Sequence, residues 1–276
     1  MSNWFDTLVS SDIPAAWEEI LQQQVPIYRF LSEPDRRELR AYIGWFIETK
    51  RFEGCAGLVI TDEIRVTVAA HACLLLLHRE TPCYQGLRSI HIYPGGYFHQ
   101  SSAQTALGES WEHGVVLLAW NAVRGGAANP FDGYNVALHE FAHQLDHEDG
   151  KTDGTPVLGK GMAPAERTGV YATWAKILAS ELKDLQHSIQ QGHKTVMDAY
   201  GSSNAAEFFA VATECFFEKP RHLRQKHPEL YTALREFYRQ DPAAWPSYPT
   251  GHGDTLPPQR KSELASPPLK PNIPIY

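Results

Sequence analysis

The sequence predicts an α+β fold, a mostly helical single domain with a small β-sheet. Apolar residues recur at helical spacing through most of the chain, and two short β-rich runs interrupt that pattern near its middle. With 276 residues, 43% hydrophobic content and 21% charged content, the chain can bury a substantial core, and it shows no internal repeat.

Residues 1–31 mix Trp, Phe and Pro around an amphipathic piece at Trp17, Ile20 and Leu21. Ser32-Glu33-Pro34-Asp35 reads as a helix start, with Ser at the N-cap and Pro in the first turn. That helix runs to about Lys50 with Leu39, Tyr42, Ile43, Phe46 and Ile47 on its apolar side. Phe52 to Ile60, interrupted by Gly54 and Gly57, reads as a strand or a turn. Thr61-Asp62-Glu63 opens a second helix carrying Val66, Ala69, Ala70, Cys73, Leu74 and Leu77. It is apolar around most of its surface, which predicts a central buried helix, and His71 within it reads as a hydrogen-bonded core residue. Ser89 to Tyr93 alternates as a strand and ends at Pro94-Gly95-Gly96; Val115 to Trp120 is a second β-rich run beside Gly114 and Gly125-Gly126. Either strand is plain structure, or offers an edge on which an extended peptide could pair.

The turn Asn129-Pro130-Phe131-Asp132-Gly133 feeds a helix at residues 138–146, with Asp132 or Asn135 as its cap. A polar connection from His147 to Pro156 lacks the ligand register of a calcium loop. Further helices are expected over residues 166–190, 203–218, where Pro220 stops the run, and Glu229 to Gln240. From Asp241 onward Pro is frequent and apolar periodicity is lost. The expected organisation is one domain over residues 1–245 and a Pro-rich tail over 246–276.

A net charge of −7 argues against a nucleic-acid surface, which needs a basic face. Cys55, Cys73, Cys83 and Cys215 form no Cys-x-x-Cys pair, which favours a reducing compartment. The start, Met1-Ser2-Asn3-Trp4-Phe5-Asp6, has no signal-peptide pattern, and the apolar run Val66 to Leu77 is too short to span a membrane. The expectation is a cytoplasmic protein without a membrane segment.

The chemistry centres on Leu138-His139-Glu140-Phe141-Ala142-His143-Gln144-Leu145-Asp146. Leu138, Phe141, Ala142 and Leu145 make an apolar helical stripe. His139 and His143, four residues apart, project from one face and can close on a single ion, for which Zn²⁺ is the usual choice. Glu140 is turned about 100° from His139, so it is placed to act on water at the ion's open position rather than to ligate. A catalytic zinc site wants a third protein ligand. The metzincin completion fails, because Asp146 and Asp149 stand where it needs Gly and His; His147 points away from the pair. Glu207, in Asn204-Ala205-Ala206-Glu207-Phe208-Phe209, is the strongest candidate and would make a gluzincin site. Asn204 with Glu207 three residues on is equally a capping box, so the spacing leaves ligand and cap both open. Glu214 lies two turns further along the same face as a ligand or a supporting group, and Tyr200 offers a phenol for an oxyanion.

These residues carry a resemblance. His139 to Asp146, Tyr200 and Ala206-Glu207-Phe208-Phe209 resemble the Mlc titration factor A family of zinc metallopeptidases, as do Phe52-Glu53-Gly54, Thr61-Asp62-Glu63 and Ala72 to Leu77. The resemblance covers most of residues 30–240 and leaves out the Pro-rich tail. The spacing from Tyr200 to Glu207-Phe208-Phe209 is also similar to the catalytic domain of anthrax lethal factor, a gluzincin peptidase. The resemblance implies a cytoplasmic zinc peptidase of gluzincin-like architecture, cutting peptides as an endopeptidase or an aminopeptidase. It further implies Zn²⁺ on His139, His143 and Glu207, Glu140 as catalytic base and Tyr200 as transition-state donor. In one branch it implies a protein partner as well, a transcriptional repressor of the Mlc type. The competing expectation is a regulator-binding protein whose peptidase activity is weak or incidental.

Overall fold

Four of the helices begin where the sequence supplies a side-chain cap. Ser32 accepts from the Asp35 amide, Thr61 from Ile64, Asn135 from Leu138 and Asn204 from Glu207, each satisfying one of the free N–H groups of a first turn. The computed structural model describes residues 13–79, 84–99, 104–111 and 114–245. The expected tail, 246–276, lies outside the described residues, as does Cys83.

The elements run α1 (Ala15–Gln24), α2 (Glu33–Thr49), β1 (Arg51–Gly54), α3 (Asp62–Leu74), β2 (Ser89–Tyr93), β3 (Tyr97–His99), β4 (Gln104–Ala106), β5 (Gly108–Trp111), β6 (Val115–Ala119), α4 (Trp120–Ala128), α5 (Val136–Asp146), α6 (Pro164–Gln190), α7 (Ala205–Glu218), α8 (Pro220–Lys226) and α9 (Pro228–Tyr238). The main sheet has strand order β1-β2-β6-β5; β1, β2 and β6 are parallel, and β5 pairs antiparallel with β6 at the edge. A separate antiparallel pair joins β3 to β4. This is the mostly helical α+β domain with a small sheet that the periodicity predicts.

α3 is the central helix. Ile64 and every residue from Val66 to Leu74 are buried, because α1, α2, α4 and α5 pack around it. His71 is a core residue: it is 2% exposed and its Nδ1 lies 2.8 Å from the Thr67 carbonyl. The helix stops at Leu74, short of Leu77, and His78 beyond it takes a left-handed φ of 63°. Two carboxylates of α2 hold that turn, with the His78 amide donating to Glu38 at 2.9 Å and its ring 3.1 Å from Asp35. This ties the end of α3 to α2.

Four expectations change. Neither β2 nor β6 offers an edge on which a peptide could pair, because each is flanked by strands on both sides. The second strand ends at Ala119, and Trp120 begins α4, in which Gly126 is buried; a Cβ there would stand 3.0 Å from the Asn135 backbone, so the glycine allows α4 to lie on the start of α5. Pro220 ends one helix and also begins another, α8, as proline's fixed φ suits a first turn. The strands β3, β4 and β5 have no strong alternation in sequence, and they form by pairing with neighbours. No helix among the described residues is long and apolar enough to cross a membrane.

Burial pushes the His71 pKa down to about 4 from an ordinary 6.5. The unfolded chain therefore takes up a proton near pH 6.5 that the folded chain refuses until about 4, and His71 costs about 3 kcal/mol of stability as pH falls across that window. Urea unfolding at both ends of the window should show that His71→Gln loses less stability on acidification than the parent chain.

Candidate metal centre

α5 presents two opposite faces. Leu138, Phe141, Ala142 and Leu145 are fully buried in the core, while His139, Glu140 and His143, at 8%, 6% and 8% exposure, face the space below α7. Asp132 shapes the preceding turn by accepting from the Tyr134 amide at 3.0 Å, and Asn135 caps the helix at Leu138, so each of the two expected caps serves a separate step. The Nε2 atoms of His139 and His143 stand 3.2 Å apart.

α7 brings the third donor. The Asn204 side chain caps its first turn by accepting from the Glu207 amide at 3.0 Å. The Glu207 carboxylate lies instead against the histidines, with Oε2 3.0 Å from His139 Nε2 and 3.4 Å from His143 Nε2. Asn204 thus caps the helix, and the Glu207 carboxylate is left beside the two imidazoles. Further along the same face, Glu214 Oε1 sits 2.7 Å from His139 Nδ1, and its other oxygen accepts from the Asn135 amide. Glu218 accepts from the Tyr134 amide and the Asn135 side chain, both at 3.0 Å.

Four donor contacts to zinc at about 2.0–2.2 Å in a tetrahedron imply ligand–ligand edges of about 3.3–3.6 Å. The triangle of 3.0, 3.2 and 3.4 Å formed by Glu207 and the two imidazoles is a few tenths of an ångström tighter, close enough for small side-chain shifts to open it to those edges. Two imidazole nitrogens and one carboxylate oxygen suit a borderline-soft divalent ion better than Mg²⁺ or Ca²⁺. Glu214 also fixes the His139 tautomer: a hydrogen on Nδ1 donated to the carboxylate leaves the Nε2 lone pair aimed at the triangle. The donor set fits a divalent metal.

The fields agree with that fit. Burial alone would raise the Glu207 pKa, but the His143 and His139 imidazoles overcome it and hold the carboxyl well below its usual range. Burial likewise disfavours a charged His139, yet the Glu207 and Glu214 carboxylates draw positive charge strongly onto its ring. Burial pushes Glu140 up to about 7 against the pull of the two imidazoles. Its carboxylate lies against the edge strand, where a Cβ on Gly108 would stand 2.5 Å from Glu140 Oε1 and 2.7 Å from its Cγ. Only glycine allows the strand so close.

Tyr200 lies on a 3₁₀ turn, Ala199–Ser202, capped by the Asp198 side chain at the Tyr200 amide. Its ring centroid is 5.9 Å from that of His139, and burial with the Glu207 and Glu140 charges keeps its phenol protonated far above neutrality. His147 is turned outward with Nδ1 3.2 Å from Thr152, as expected. The Gly108 approach, and Glu109 beside it acting on Glu140, were missed because β5 carries no strong strand signal. A groove of about 840 Å³ between α6 and α9, lined by Trp174, Ile177 and Phe237, lies elsewhere and contains none of the converging donors.

The model of the glucose-regulated metallo-peptidase M90 family matches residues 2–239, beginning well before the stretch that carries the resemblance. An uncharacterised protein of Synechocystis sp. is 38% identical over 256 residues, covering 87% of this chain and 90% of its own length. Proteins called Mlc titration factor A, from Yersinia pestis and Yersinia pseudotuberculosis, are 29% identical over 256 residues with the same coverage.

The Gly108 contact makes a test of the site's packing. Gly108→Ala should destabilise the fold by about 1–3 kcal/mol through overpacking against Glu140. In a Glu140→Ala background the added methyl should cost far less, a coupling readable from a double-mutant cycle in urea.

Proposed function

Because the chain belongs to the glucose-regulated metallo-peptidase M90 family and is thus a metallopeptidase, we propose that it is a zinc-dependent peptidase of the gluzincin type, with His139, His143 and Glu207 as the ligands. The observation that carries this reading is the convergence of Glu207 Oε2 and two imidazole Nε2 atoms beside a buried Glu140.

Zinc held by these three residues would polarise a peptide carbonyl and acidify a water at its open position. In the proposed mechanism, Glu140 accepts the proton of the attacking water on its carboxylate and passes it to the leaving amine. The Tyr200 phenol, kept protonated, donates to the carbonyl oxygen as negative charge develops there. Glu214 keeps the His139 ring in one tautomer and one orientation throughout. β5, at the sheet edge and touching Glu140, is the proposed rail on which an extended peptide pairs through main-chain hydrogen bonds.

Residues 1–245 form the proposed peptidase domain and 246–276 a tail outside it. A cytoplasmic location is proposed from Cys55, Cys73 and Cys215, which are free thiols. The name of the Yersinia relatives supports a second proposed role, capture of a transcriptional repressor of the Mlc type, with hydrolysis weak or incidental. Peptide-library cleavage with and without a chelator separates these readings and distinguishes internal cuts from N-terminal trimming.

Glu140→Gln should lower peptide hydrolysis by about 10²–10⁴-fold while zinc content, measured by elemental analysis, stays at the parent level. Retained activity would remove Glu140 from the mechanism, and repressor capture by this variant would show that binding and hydrolysis separate. Tyr200→Phe should reduce kcat by about 10²–10³-fold at unchanged zinc content; loss of metal instead would assign Tyr200 a structural role.

A further inference from the structure

The two imidazoles of the site are supported unequally. His139 has Glu214 on its distal nitrogen, whereas His143 Nδ1 is buried and has no hydrogen-bond partner. One helical turn on, Asp146 is fully buried and its Oδ1 also has no partner. The two orphaned atoms belong to residues three apart on one helix, near neighbours on its surface though not bonded to each other here, and leaving both unpaired in a core is unfavourable. We propose that Asp146 is the positioning residue of His143, its Oδ1 accepting from Nδ1–H. That bond would hold the ring in the tautomer whose Nε2 lone pair faces Glu207, doing for His143 what Glu214 does for His139.

The other oxygen of Asp146 extends the argument to the second half of the site. Oδ2 accepts from the Gly154 amide at 2.8 Å, and the Gly154 carbonyl accepts from Trp174 Nε1 at 2.9 Å. Gly154 has φ +81°, and a Cβ on it would stand 2.4 Å from the carbonyl oxygen of Ala205, the first residue of α7. The loop that Asp146 holds is therefore seated under the turn that carries Glu207. One side chain would thus serve His143 with one oxygen while it braces the loop under the Glu207 helix with the other.

The inference rests on the reading of His143 as a zinc ligand, and the test keeps the two apart. Asp146→Asn retains an oxygen for Gly154 N–H but turns an amide donor toward His143, which favours the opposite tautomer. Its zinc affinity, by chelator competition, should fall about 10–100-fold, while the urea midpoint stays close to that of the parent chain. In the zinc-free parent chain, ¹⁵N-histidine NMR at a pH where the ring is neutral should find His143 protonated on Nδ1, and in Asp146→Asn on Nε2. The tautomer measurement on the parent chain needs no variant to fold; an Nε2–H ring there overturns the proposal. So does an Asp146→Asn chain that binds zinc within about two-fold of the parent, which would leave Asp146 only its Gly154 role. If His143→Ala binds zinc as the parent does, the ligand assignment itself fails and the proposal falls with it.

Discussion

The docking of α7 on the first turn of α5 is the contact on which the rest of the site depends. Glu207, Glu214 and Glu218 lie seven and then four residues apart, on one face of α7, and all three reach across. Glu214 spans His139 Nδ1 and the Asn135 amide, and Glu218 takes the Tyr134 amide and the Asn135 side chain. These bonds satisfy the free N–H groups at the start of α5 and set how far α7 sits along it. Glu207 arrives at the two imidazoles because Glu214 and Glu218 have already fixed the register.

Such an interface is expensive to build. Burial raises the pKa of both Glu214 and Glu218, so their carboxylates are tolerated only with their hydrogen-bond partners in place. Apolar side chains would hold two helices together more cheaply, but they would tolerate sliding and rotation. A row of buried carboxyl groups does not, since displacement strands unsatisfied polar atoms. The same restriction governs Glu140, clamped between α5 and the edge strand at Gly108, and Tyr200, whose turn is pinned by Asp198. His139, Glu140, Glu214 and the Tyr200 turn are thus each held from a second direction.

Much of this was legible in advance, for particular reasons. α3 was readable as a central helix because a helix apolar on all sides must be surrounded. His71 was readable as core because a lone histidine on such a helix can donate to its own turn, as it does to Thr67. Ser32, Thr61, Asn135 and Asn204 all cap where their side-chain chemistry suggests. β5 was not readable: Gly108-Glu109-Ser110-Trp111 lacks alternation and is a strand only because β6 lies beside it. α4 was hidden by Gly125-Gly126, whose cost to a helix is offset by packing on Asn135.

The sequence by itself determined the local half of this site. Helical period puts His139 and His143 on one face with Glu140 beside them, and no tertiary contact is needed to know it. That the Glu207 carboxylate lies beside both imidazoles, and Glu214 against His139 Nδ1, was decided only by tertiary structure. Both carboxylates lie on one helical face, and spacing along α7 cannot say which of them the partner helix will meet at which atom. That depends on the offset between two helices whose site residues lie more than sixty positions apart, as Glu207 and His139 are separated by 68. Buried hydrogen bonds set that offset, and they exist only once the chain has folded.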